Sequence, residues 1–371
     1  MKTPISDRRA TFVQTVVVGL LALAAGWVGP AYAGSNERKG TAGAQELLMG
    51  VGPRGTALGS AVTADASGVE AMFWNPAGLG TVKGTEAMFS HTGYFADQKL
   101  NYAAVASHVG GAGVLAFDAK VLSIGDIIVT TEDAPEGTGQ ILNPTFTVLG
   151  LGYARQFTDR VLFGGVVHYV NEQIANASAS GLAFDFGVQY TTGWNGLQFG
   201  IAMKNFGSQL EFSGADFDVN LLPPGSDPQA SNRPFALSSA PFEMPSYFAL
   251  GGTVEVYAQN QQRLALLSGF QSNNFEFDYL LSGLEWSYRH DYALRASYFG
   301  SFGSASSGSS LSGSEGSLEF NSGNDLYSGF ALGGGAQIHT GGDSRLGVDV
   351  SWRPVRSFFD DVVEFGIHYS F

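Results

Sequence analysis

Apolar residues return at every second position through many stretches of about ten residues, and no other pattern restricts the fold of this chain as strongly. In "SRLGVDVSWRP", Leu346, Val348, Val350 and Trp352 share one face of an extended strand, while Arg345, Asp349 and Arg353 share the other. "GLAFDFGVQY" sets Leu182, Phe184, Phe186, Val188 and Tyr190 against Asp185 and Gln189. "GLQFGIAMKNFG" sets Leu197, Phe199, Ile201 and Met203 against Gln198 and Lys204. Similar runs begin near residues 85, 99, 111, 144, 160, 180, 196, 246, 262, 277, 291, 326, 344 and 361, which makes fourteen candidate strands. The facing of the two near 85 and 99 stays open. A tilted strand of about 9 to 11 residues crosses a bilayer, and these runs have that length.

The last run, "VVEFGIHYSF", decides between water and lipid. Val363, Phe365, Ile367, Tyr369 and Phe371 alternate with Glu364, Gly366, His368 and Ser370, and the chain stops on the aromatic ring. A soluble sandwich or propeller gives that ring no partner, whereas a transmembrane barrel places it at the membrane interface. All thirteen prolines fall outside the strand interiors, as a hydrogen-bonded ladder requires. The connections "VGGAG", "FTDR", "RHD" and "TGGDS" are short, and residues 124–143, 208–245 and 304–325 form long polar or Pro/Gly/Ser-rich links on the other side. The expectation is an all-β transmembrane antiparallel barrel of about 14 strands over residues 84–371, with both ends on the short-turn side.

The N-terminus fits that setting. Lys2, Arg8 and Arg9 precede the apolar "TVVVGLLALAAGWVG" and then "AYA" at 31–33, the order of a cleaved signal peptide over residues 1–33. No later apolar run is long enough for a membrane helix. The expected destination is the outer membrane of a Gram-negative-type cell, with membrane lipid and the barrel assembly machinery as partners. The C-terminal alternation, Val363 to Phe371, is the expected assembly signal. With no Cys there is neither a lipidation site nor a disulfide framework. A net charge of −14 argues against nucleic acid as a partner.

No catalytic constellation emerges, and no cofactor is expected. The histidines, His91, His108, His168, His290, His339 and His368, lack metal-ligand spacing. "GSASSGSSLSGSEGS" has the composition of a flexible loop, and "TTEDAPEG" lacks the spacing of a calcium site. Alternation places Asp118, Lys120, Asp185, Lys204, Glu255, Glu285, Arg289, Arg295, Asp349 and Arg353 toward the lumen. An ion-selective pore favours one sign of charge, so this mixture indicates a wall that grips something inside it.

Residues 34–83 precede the first strand, and "AQELLMGVG" within them suits a short amphipathic helical turn. "GPRGTALGSAVTADASGVEAMFWNPAGLG", with Asp65, Asn75, Pro76, Ala77, Gly78 and Leu79, resembles the opening of PorV/PorQ-type outer-membrane proteins within the FadL-like group. "TGYFADQKLNYAAVA", "GDIIVTTEDAPEGTG" and the terminal strand extend the resemblance over nearly all of the chain after residue 33. It implies a fourteen-stranded barrel with the N-terminal segment as a hatch in the lumen. Two non-enzymatic roles follow from it: a partner of the type IX secretion machinery that binds exported client proteins, or a channel for hydrophobic small molecules.

Overall fold

In the computed structural model, fourteen antiparallel strands close into one barrel. The structure describes residues 38, 40–223, 225, 227, 231–289, 291–302, 329–342, 344–355 and 359–371. The expected signal segment, His290 and the Gly/Ser-rich loop at 304–325 lie outside them. The strands are β1 (Thr85–Gly93), β2 (Lys99–His108), β3 (Val114–Ser123), β4 (Thr145–Thr158), β5 (Val161–Ile174), β6 (Ala177–Thr191) and β7 (Gln198–Gly207) in the first half. The second half holds β8 (Tyr247–Gln259), β9 (Gln262–Asn273), β10 (Asp278–Tyr288), β11 (Tyr292–Phe302), β12 (Phe330–Gly341), β13 (Ser344–Arg353) and β14 (Val362–Ser370). Each strand pairs with its neighbours in sequence, and β14 pairs with β1 from Ser370–Glu86 to Val363–Gly93. Closure leaves no edge of unpaired backbone groups, the condition for strands to span lipid.

The alternation sorts as its chemistry requires. Phe184, Phe186, Phe199, Ile201, Val348, Phe365 and Ile367 are exposed on the outer face, while Asp185, Lys204 and Asp349 are buried on the inner one. Exposed aromatic residues stand at both ends of the wall, and others, Phe89, Phe117 and Phe186 among them, stand between. Phe157, Phe163, Tyr190, Tyr292 and Phe371 mark the short-turn end, and Phe206, Tyr298, Phe330 and Trp352 the long-loop end. They form the two interfacial girdles of a transmembrane barrel. On β1 and β2, Met88, Ser90, Leu100, Tyr102 and Ala104 point inward and Phe89 and Val105 outward. Both faces are apolar there because the inner face packs against a buried apolar cluster.

That cluster belongs to residues 44–82, which run through the lumen. They form a 3₁₀ turn (Gln45–Leu48), α1 (Pro53–Ala57), α2 (Ala71–Trp74) and a second 3₁₀ turn (Pro76–Thr81). α1 packs on β11 to β14, and the second turn packs on β3 to β6 across the ring, so the segment spans the interior from wall to wall. Val51, Leu58, Val62, Met72 and Leu79 are fully buried in it. The chain enters beside the long loops, where Arg38 pairs with Glu243 at 2.7 Å, and leaves at the opposite end, where Thr85 donates its N–H to the Phe371 carbonyl at 2.8 Å.

Phe371 also donates its own N–H to the Thr85 carbonyl, at 2.9 Å, and its ring lies 5.5 Å from that of Tyr369. Deletion of residues 369–371 strips the closing register of this pair and leaves edge groups unpaired in lipid. Reduced heat-modifiable, folded protein in the membrane fraction is the expected result, and normal assembly of the truncated chain would count against the closing role.

Candidate functional site

An irregular chain inside a lumen must have its backbone polar groups satisfied without bulk water. The wall supplies the partners with charged side chains of matching kind. Carboxylates accept from the N–H groups of the inner segment: Glu172 on β5 from Ala44 at 3.0 Å, Glu364 on β14 from Gly52 at 2.6 Å, and Glu86 on β1 from Val69 at 2.9 Å. Ammonium groups donate to its carbonyls. Lys120 on β3 donates to Glu46 and Met49 at 2.7 Å each, and Lys204 on β7 donates to Phe73. The two ammonium groups also approach the Phe73 ring, at 4.4 and 5.1 Å from its centroid.

Asn75 locks the end of the segment. Its backbone is extended, its side-chain oxygen accepts from Ala77 N–H at 3.2 Å, and its amide donates to the Thr63 carbonyl at 2.6 Å. The same amide reaches the wall carbonyls of Val188 and Ile201 at 3.3 and 3.4 Å. Pro76 starts the following turn with no N–H to satisfy. The approach is close enough that a Cβ at Gly187 would overlap the Asn75 side chain, and one at Gly200 would overlap the Thr63 carbonyl. Ala77, Gly78 and Leu79 continue as a buried turn against the wall.

Two ion networks flank the segment. Asp185 pairs with Lys204, meets His168 Nε2 at 2.8 Å and accepts from Asn205 N–H at 2.7 Å. Asp118 accepts from the Tyr102 hydroxyl at 3.0 Å. Nearer the short-turn end, Glu285 takes Arg54 at 3.0 Å, Arg295 at 2.8 Å and Arg263 at 3.3 Å. Arg54 also pairs with Asp65, Arg295 with Asp349, and Arg263 with Glu255 at 2.7 Å. The lumen residues read from alternation therefore come together, except Arg353, which lies apart at the long-loop end over the Phe299 ring, and Arg289. Arg289 is exposed in the β10–β11 turn, where it stacks on Tyr288 and bonds Gln261 at 2.8 Å, because the strand ends one residue before it. Alternation alone did not single out Tyr102, Glu172, Arg263 or Glu364 as partners, although their inward positions follow from the same periodicity.

Glu46, inside the 3₁₀ turn, is pushed up to about 8 by burial and by the Glu172 carboxylate, against the weaker pull of Lys120. An acid held above its unfolded value of 4.5 stabilises the fold when protonated, and that contribution fades as pH rises from 4.5 through 8. Amide exchange at residues 44–49, corrected for its intrinsic pH dependence, is expected to lose protection between pH 6 and pH 9. Glu46→Gln should reduce that loss. Equal protection of the native chain at both pH values would contradict this assignment.

Among the described residues, two cavities of different chemistry border the segment. The one toward the short turns, about 540 Å³, is bordered by Arg54, Arg263, Glu285, Arg295, Asp349 and His368. The one toward the long loops, about 560 Å³, is walled by Phe73, Trp74, Tyr94, Phe95, Tyr279 and Phe299. Gln45, Gln98, Gln271, Glu276 and Arg353 place a few polar groups among those rings. An apolar enclosure with a few polar groups is the usual form of a small-molecule site. Nothing in the periodicity signals it, since these aromatic residues come from the inner segment, the β1–β2 connection and the upper ends of two strands. Among the described residues, no group of three His, Cys, Asp or Glu side chains is placed to hold a metal ion.

The sequence matches no protein-family model and no curated protein. By structure, the chain is similar to the CymD monoaromatic hydrocarbon channel, with TM-score 0.54 and 14% identity over 87% of this chain and 98% of that one. It is also similar to the toluene transporter TodX of P. putida, with TM-score 0.53 and 13% identity over 86% of this chain and 98% of that one. A Pseudomonas aeruginosa FadL homologue overlaps at TM-score 0.48 and 10% identity, over 86% of this chain and 97% of that one. The fold, a closed antiparallel barrel of fourteen strands, is that of the CymD and TodX barrels.

Proposed function

We propose that the chain is a non-enzymatic outer-membrane channel for hydrophobic small molecules, with residues 44–80 as its hatch. The ring-walled cavity carries the reading: it opens on the long-loop side, the side that faces out of the cell in such barrels, and the inner segment forms its floor. The structural neighbours support it, since two of them are described as a hydrocarbon channel and a toluene transporter. Export with removal of residues 1–33, and assembly through the alternating residues Val363 to Phe371, complete the reading. The type IX secretion role, with client proteins as partners, draws on the PorV/PorQ resemblance of the sequence alone.

Uptake tests it. Cells that lack their own carriers of hydrophobic molecules and express this chain should take up radiolabelled toluene, naphthalene or palmitate several-fold faster than cells with an empty vector. No acceleration for any of them, with an exported protein cross-linked to the barrel instead, would turn the reading to secretion. Deletion of 44–80 should raise ion conductance in planar bilayers, and unchanged conductance would refute the hatch.

A further inference from the structure

Residues 44–49 are the outer limb of the inner segment, and the wall holds them by an arrangement that needs a proton. Ala44 has φ of 51°, in the left-handed region that a side chain disfavours, and its N–H is turned to the Glu172 carboxylate on β5. Glu46 follows two residues later. Its carboxyl is almost completely buried, as is that of Glu172. Among the described residues, neither Glu46 oxygen meets a hydrogen-bond donor, and the group it faces is the Glu172 carboxyl. Two buried carboxylates with no donor between them cannot both stay ionised, whereas one shared proton turns the pair into a hydrogen bond.

The charged groups of the surrounding elements are committed elsewhere. Lys120 on β3 is the cation that acts on Glu46, but its ammonium donates to the backbone carbonyls of Glu46 and Met49. Asp118 on β3 accepts from the Tyr102 hydroxyl, and Asp185 on β6 is taken by Lys204 on β7 and His168 on β5. From the β7–β8 connection, Glu243 pairs with Arg38, and its carbonyl accepts from Gly43 N–H at 3.1 Å. The position of the limb matters because Gln45, Leu48 and Met49 belong to the wall of the ring-lined cavity. Whatever frees residues 44–49 therefore removes part of that wall.

Resting on the channel reading above, we infer that residues 44–49 are a latch on the outer cavity, held shut by one proton shared between Glu46 and Glu172. With the proton in place, the limb is packed against β3 to β6 and completes the cavity. When the proton passes to solvent, two negative charges face each other, Ala44 relaxes from its left-handed conformation and the limb leaves the wall. Alkaline solution is thus the trigger for release, since burial and Glu172 raise the Glu46 carboxyl far above the ordinary range.

The chain has no Cys of its own, so Leu47→Cys, buried in the shut latch, reports opening through its rate of maleimide labelling. Labelling is measured on the full chain in lipid nanodiscs at pH 6.5 and pH 9, with Gln140→Cys at an exposed position as the reference for the titration of the thiol itself. The ratio of the two rates should rise by about tenfold from the lower to the higher pH. Adding Glu46→Gln or Glu172→Gln should cut that rise to about threefold or less, because an amide donor replaces the shared proton. No rise, or an equal rise in both carboxamide variants, overturns the latch. Heat-modifiable mobility confirms folding, and if Leu47→Cys does not fold, amide exchange at residues 44–49 of the native chain and of Glu172→Gln makes the same comparison. Toluene, which has no titratable group, should bind the native chain about threefold more weakly at pH 9 than at pH 6.5, with protein-free nanodiscs as the partition control. Constant toluene affinity alongside switching label overturns the coupling of latch to cavity. Toluene bound at neither pH, alongside switching label, overturns the channel reading and leaves the latch in place.

Discussion

Replacement of Asp185 by alanine is expected to destabilise the folded barrel by about 3–5 kcal/mol, the usual cost of breaking a buried ion pair by removing one partner. Asp185 is fully buried and satisfies three groups at once: the Lys204 ammonium, His168 Nε2 and the N–H of Asn205. That N–H has turned from the ladder to the carboxylate because the β6–β7 pairing shifts register between Phe184 and Phe186. Alanine leaves the ammonium buried with the Phe73 carbonyl as its remaining hydrogen-bond acceptor, and leaves the amide with no acceptor. Denaturant titration of refolded protein in nanodiscs, followed by heat-modifiable mobility, measures the loss. The double change Asp185→Leu with Lys204→Met should cost less than Asp185→Ala, because it removes both charges. A single variant within about 1 kcal/mol of the native chain would show that the pair contributes little, as exposed pairs do.

The second large effect is expected on the outside of the wall. Val348 is exposed on β13, with Ala336 of β12 and Ile367 of β14 as its partners in the ladder, near the middle of the lipid-facing band. Val348→Arg places a guanidinium in hydrocarbon at about 2–4 kcal/mol near the bilayer midplane. The same substitution at Phe371, in the interfacial girdle, should cost about 0–1 kcal/mol, since the penalty falls with depth. The ratio of the two losses, measured in one bilayer, tests the position of the strand in the membrane. Equal losses would mean that β13 does not sit at the depth its exposure pattern gives it.

Alternation made most of the barrel legible. Where lipid covers one face and charge the other, as at Val348 and Asp349 or Phe184 and Asp185, period-two patterning gives both the strand and its facing, and the candidate starts fall within a few residues of those in the structure. On β1 and β2 the same signal fails. Leu100 and Tyr102 face inward onto the buried cluster while Phe89 and Val105 face lipid, so both faces carry apolar residues. Composition cannot distinguish an apolar residue that meets lipid from one that meets the packed inner segment.

The closed barrel, the facing of most of its strands and the mixed charge of its lumen were thus determined by sequence, because each follows from the local requirement that lipid-facing side chains be apolar and ladder groups be paired. Tertiary structure decided which charges meet. Arg54 and Glu285 are far apart in the chain and join only because α1 is laid across the lumen, and Glu364 finds the N–H of Gly52 only once β14 has closed onto β1. The ring-walled cavity is decided in the same way. Trp74, Tyr94, Tyr279 and Phe299 share no period and no motif, and they enclose one space only because barrel closure brings the inner segment, a turn and two distant strands to the same mouth.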